Sequence, residues 1–127
     1  MPLEVQIGVN PVGWMNDDLP SLGGETPVEV ALAEGRRIGY QGFELGCRFP
    51  REPAALRALL STHGLACVSG WWSGRLLALP AAEELARAEG HLRLRAENGA
   101  RVLVYGEAEG SIQGRADVPL FKRPRLR

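Results

Sequence analysis

Apolar and polar positions follow two periods along this chain, and the two alternate. Short runs with a period of two predict strands at Val5–Asn10 (VQIGVN), Gly42–Leu45 (GFEL), Ala66–Gly70 (ACVSG) and Arg101–Tyr105 (RVLVY). Longer stretches between them carry helical spacing. The first helix is expected to open at Thr26-Pro27-Val28-Glu29, with Thr26 as cap, Pro27 in the first position and Glu29 completing a capping box. Gly39, able to adopt the left-handed conformation, ends it. The second helix starts near Pro53, sets Leu56, Leu59 and Leu60 on one face, and stops at Gly64. The third runs from about Pro80 to Asn98, with Leu85, Ala88, Leu92 and Ala96 as its expected buried stripe. Glu107–Arg127 reads as loop, ending in the basic tail FKRPRLR.

Strand, helix and strand in turn imply parallel strands joined by right-handed crossovers. An open doubly wound sheet and part of a (β/α)8 barrel both satisfy that order. The strand faces help to choose. Val5, Ile7, Val9, Phe43, Leu45, Val68, Val102 and Val104 share one parity. The other carries Gln6, Gly8, Asn10, Glu44, Cys67, Ser69, Leu103 and Tyr105, and turns polar toward the strand ends. An open sheet is covered on both faces and is apolar on both, whereas a barrel has a helix-covered outer face and a pocket at its C-terminal rim. No Gly-rich phosphate fingerprint follows the first strand. The expected fold is therefore α/β, a parallel half-barrel made of the first four β/α units of a TIM barrel. A full barrel takes about 250 residues. Residues 1–127 are thus expected to form its N-terminal half, with the second half absent.

Composition narrows the function classes. The chain is 45% hydrophobic and 24% charged, and its 15 basic and 15 acidic residues balance. No global field favours nucleic acid or an anionic membrane surface. No apolar run approaches the ~20 residues that span a bilayer, and no leader pattern follows Met1, so the expected location is cytoplasmic. Cys47 and Cys67 lack a CxxC spacing and read as small thiols of a reducing compartment.

In barrel enzymes the working residues follow the strands. After the first strand, Asn10, Trp14, Asn16, Asp17 and Asp18 combine two amides, two carboxylates and an aromatic platform suited to a polyhydroxylated ring; the same residues also make ordinary turns. Glu44 has pocket parity, where it either serves a hydroxyl or pairs with an arginine such as Arg48 or Arg75. Trp71 and Trp72 follow the third strand between glycines, as a lid over a ring or as packing. Tyr105 and Glu107 share the inward parity of Leu103, and Gln113 lies just beyond. His63 and His91 fall on helix segments, so no metal cluster and no nucleophile–base pair is evident.

The segments NPVGWMNDDLP (10–20), FELGCRFPR (43–51), SGWWSG (69–74) and VYGEAEGSIQG (104–114) resemble the inosose dehydratases of inositol catabolism, members of the xylose-isomerase-like barrels. The resemblance implies a lyase removing water from 2-keto-myo-inositol to give a trihydroxycyclohexane dione. It implies a divalent manganese or cobalt that polarises the ketone and stabilises an enediolate. Carried over by position, Asn10, Trp14, Asn16, Asp17, Glu44, Trp71, Tyr105, Glu107 and Gln113 would line the substrate pocket, with no catalytic role assigned to any one. The family's metal ligands come from its second half, so this chain is expected to lack them and to be inactive alone. Two other readings remain open. One is a sugar isomerase or epimerase of the same superfamily; the other is a polyol-binding half-barrel that pairs with a second copy.

Overall fold

The computed structural model describes residues 4–112, 115 and 117–122. Strands and helices alternate as β1 (Gly8–Val9), α1 (Val28–Ile38), β2 (Gly42–Leu45), α2 (Pro53–Thr62), β3 (Ala66–Gly74), α3 (Ala81–Glu97) and β4 (Val104–Glu107), with 3-10 turns at Pro11–Gly13 and Leu120–Lys122. The strands form one parallel sheet in the order β1-β2-β3-β4, curled into part of a barrel. Among the described residues no helix is long and apolar enough to cross a membrane.

Local chemistry sets the helix ends. Gly39 closes α1 with a φ of 114°, and its N–H reaches the carbonyls of Gly35 and Arg36. The expected Thr26 cap is not formed. Pro27 occupies the capping position in extended conformation, so α1 begins one residue later and the Thr26 N–H bonds the Gly23 carbonyl. Glu52 caps α2 by accepting from the Ala55 N–H at 2.7 Å, ahead of Pro53 in the first turn.

The core fills the space between the sheet and its helices. Phe43 of β2 is fully buried, with Trp14 and Phe49 ring centroids at 5.7 and 6.3 Å. Leu32, Leu56, Leu60 and Leu94 bring the helices onto the same cluster. Gly35 lets α1 approach closely, since a Cβ there would lie 2.4 Å from Phe43 Cζ.

The register of β3 overturns part of the face assignment. Gly42 and Phe43 pair with Ala66 and Cys67, but Glu44 and Leu45 pair with Ser69 and Gly70, leaving Val68 as an extra residue. Cys67 therefore joins the core, while the Val68 methyls lie against Gly8 and Gly42. Beyond this bulge Gly70 faces α3; a Cβ there would meet His91 and Arg95 at 2.9 Å. β3 also continues to Gly74, so both tryptophans lie within the strand.

β4 inverts as well, and it starts at Val104 rather than Arg101. Val104 pairs with Trp71 and Tyr105 with Trp72. Tyr105 thus lies on the helix-covered side with Trp72, opposite to expectation. Two glycines admit the facing rings. The Tyr105 ring covers Gly74, where a Cβ would sit 1.9 Å from Cζ, and the Trp71 ring covers Gly106, where a Cβ would sit 2.3 Å from Cζ2.

The buried line of α3 is Glu84, Ala88, Leu94 and Arg95, while Leu85 is 61% exposed and Ala96 is also exposed. The expected apolar stripe is turned aside because polar groups beneath the helix need partners. The Trp72 indole N–H donates to Glu84 at 2.6 Å, and Arg95 donates to the Val102 carbonyl.

Two expectations follow. Gly35→Ala should destabilise the fold by about 1–3 kcal/mol through its collision with Phe43. Gly90→Ala, with open space at its Cβ, should stabilise it by about 0.5–1 kcal/mol; denaturant melts of both variants check the pair. Among the described strands β1 and β4 are paired on one side only, and Val5, Ile7 and Val102 beside them are exposed. Two copies supply eight strands, so the melting temperature of the 127-residue chain should rise with protomer concentration. A monodisperse monomer with a concentration-independent melt would show that the edges are self-capped.

Candidate functional site

Three strand ends meet on the helix-free face of the sheet. Glu44, in the middle strand, accepts from Asn10 Nδ2 at 2.5 Å through one oxygen and from Ser69 Oγ at 2.6 Å through the other. The expected arginine partners are engaged elsewhere: Arg48 donates to the Gly24 carbonyl, and Arg75 pairs with Glu109 at 2.6 Å. Asn10 is itself fixed, because its Oδ1 accepts the Val12 N–H at 2.8 Å and opens the turn at Pro11. The result is a carboxylate held across β1, β2 and β3 with its orientation set on both oxygens.

Beside this network lies a cleft of about 210 Å³. Its polar lining comes from Asn10, Asp17 and Asp18; its apolar lining comes from Pro11, Val12, Met15, Leu45 and Trp71. Asp17 is anchored by the Cys47 N–H at 3.0 Å, which ties the loop after β1 to the loop after β2. Trp71 is 44% exposed, with its indole N–H on Ser73 Oγ at 2.9 Å, and so offers aromatic surface to the cleft. A few polar groups set in an apolar hollow at strand C-termini suit a small polar ligand.

Asn10, Asp17, Glu44 and Trp71 are thus brought to one end of the sheet, while Trp14, Asn16, Tyr105 and Glu107 are engaged elsewhere. Trp14 is packed on Phe43 and donates to Glu34 of α1 at 2.7 Å, tying the loop to the helix layer. Asn16 folds its loop, accepting the Asp18 and Leu19 N–H groups at 3.0 and 2.8 Å. Glu107 accepts from the backbone of Leu76 and Glu109 at 2.8 and 2.9 Å, bracing the loops after β3 and β4. Tyr105 lies on the opposite face. Gln113 and the tail from 123 onward fall outside the described residues. Ser69 and Asp18 are absent from the residues carried over by resemblance; Asp18 stands in the same carboxylate-bearing loop, and the inward parity of Ser69 beside Glu44 is the signal for the other.

Burial pushes the Cys67 thiol up to about 11, and burial together with Asp17 raises Cys47, so neither is poised as a thiolate. His91 lies on α3, as its helical spacing implies, but it turns toward the sheet. It packs on the Trp72 ring at 5.4 Å, its Nε2 is buried without a hydrogen-bond partner, and burial lowers its pKa below 6.5. His63 caps the C-terminus of α2. Among the described residues no group of three or more His, Cys, Asp or Glu side chains is placed to hold a metal ion.

No family model matches the chain. Over 125 residues, 98% of this chain, it is 43% identical to a rhizopine catabolism protein MocC of Rhizobium meliloti. It is 39% identical over 122 residues to an inosose dehydratase of Geobacillus thermodenitrificans, and 36% identical over 118 residues to inosose dehydratase 2 of Bacillus cereus, covering 95% and 93% of the chain. The chain spans 38–41% of the length of these relatives. The resemblance read from four short motifs is therefore carried by identity along nearly the whole chain.

The geometry of His91 sets a pH dependence. Its lowered pKa means that protonation favours the unfolded chain, so stability is full above about 6.5 and falls as pH drops through the lowered value. His91→Gln should flatten that part of the acid limb in melts followed across pH 7 to 4, about the range in which histidine titrates.

Proposed function

We propose that this chain forms part of the substrate pocket of an inosose dehydratase, a lyase that takes one water from 2-keto-myo-inositol to give a trihydroxycyclohexane dione. The observation that supports the reading most is the 36–43% identity across 93–98% of the chain to proteins named inosose dehydratase or MocC. In that reaction a C–H bond beside the ketone and a C–O bond one carbon further both break. The proton and the hydroxide leave together as water.

The residues of this chain are suited to holding the ring. Each Glu44 oxygen keeps a second lone pair after serving Asn10 or Ser69, so the carboxylate accepts from ring hydroxyls without breaking the network. Trp71 gives the C–H face of the ring an apolar wall, and Pro11, Val12 and Met15 restrict water. The resemblance also implies manganese or cobalt, and the described residues do not fit such an ion. Glu44, Asp17 and Glu107 are fixed by separate hydrogen bonds at separate places, the histidines lie at the end of α2 and within α3, and no three such side chains converge among the described residues. The role proposed for this chain is accordingly binding and orientation.

Calorimetric titration with 2-keto-myo-inositol tests it. Saturable binding is expected, weakened about tenfold by Glu44→Gln and by Trp71→Ala in chains that keep their circular dichroism. Equal binding of a ketohexose would favour the isomerase reading. Binding of neither ligand would overturn the proposal.

A further inference from the structure

A second cleft, of about 430 Å³, opens on the helix-covered side between the start of α2 and the middle of α3. Arg51, His91 and Arg93 line it with Trp71, Trp72 and Leu94, and no aspartate or glutamate is among its lining residues. Gly90 forms an open part of the wall, with nothing within 4 Å of its Cβ position.

The charge around this cleft is poorly compensated. Arg51 gives one Nη2 to the Gly46 carbonyl at 3.0 Å. Arg93 reaches Glu97 only at 3.7 Å, with a side chain 72% exposed, a contact that solvent screens. Next to His91 lies Arg95, 4% exposed, its Nε without a hydrogen-bond partner and no carboxylate bridging it among the described residues. A buried guanidinium without a counter-charge is costly, and a nearby anion offsets that cost. Planar guanidinium forks match phosphate oxygens in pairs.

We infer that this cleft is an anion site that takes the phosphoryl group of a small molecule, held between Arg51 and Arg93. The two clefts share Trp71, and none of the residues lining this one bonds Glu44. Its ligand differs in kind from the uncharged ring proposed for the first cleft.

Calorimetry of the full chain with inorganic phosphate and with glucose 6-phosphate tests this, with glucose as the uncharged control. The expected result is one saturable site for a phosphate-bearing probe and none for glucose. Arg51→Gln and Arg93→Gln should each weaken it about tenfold, and Arg101→Gln, outside the cleft, should leave it unchanged. If inorganic phosphate binds as well as the sugar phosphate, the site reads the phosphoryl group alone; if only the ester binds, the sugar contributes. Absence of saturable binding, or binding insensitive to Arg93→Gln, would overturn the inference. The exposed Arg93 keeps the test valid even if Arg51→Gln disturbs the α2 start.

Discussion

One extra residue in β3 decides which way half of the molecule faces. With Val68 inserted between the partners of Phe43 and Glu44, Cys67 stays in the core and Ser69 still turns inward to meet Glu44. From there the two-residue alternation of the strand carries Trp71 inward, to the cleft beside Asn10. The same alternation carries Gly70 and Trp72 outward, under α3. Without the bulge the Ser69 hydroxyl would point into the helix layer and Glu44 would lose one of its two donors.

The outward turn of Trp72 in turn governs the helix above it. An indole N–H facing a helix layer needs an acceptor, and Glu84 supplies it, its own carboxyl held below the usual range by that bond and by Arg87. The Arg87 guanidinium lies 5.7 Å from the Trp72 ring centre and the His91 ring 5.4 Å from it. α3 is thus seated by polar and aromatic contacts, and Leu85 is left exposed although it is the more apolar choice.

Much of this was legible in the residues. The order of elements, the end of α1 at Gly39 and the Leu56–Leu60 face of α2 follow from rules that act within a few residues. So does the inward placement of Asn10 and Glu44, since both precede the bulge. What failed lay at the bulge itself and in β4. A one-residue slip leaves no mark on the local apolar pattern, yet it reversed Val68 and Cys67; strand four was likewise read in the wrong phase, which misplaced Tyr105. Trp14 was misread for a different reason. A tryptophan in a Gly- and Asn-rich loop looks like a surface platform until Glu34, twenty residues on, is seen to accept its N–H. Long-range partners of that kind are invisible to periodicity.

The two rings lying over glycines across β3 and β4 bear on how this sequence can vary. Trp71 covers Gly106 on one face of the sheet and Tyr105 covers Gly74 on the other, each leaving no room for a methyl group. Substitution at either glycine is therefore epistatic to its aromatic partner: a side chain is accommodated at 106 only after residue 71 shrinks, and at 74 only after residue 105 does. The order of change is forced, ring first and glycine second. For the Trp71–Gly106 pair the first step removes a wall of the cleft, so drift at Gly106 is tied to whatever occupies that cleft. The Tyr105–Gly74 pair carries no such tie and is free to exchange bulk across the strands.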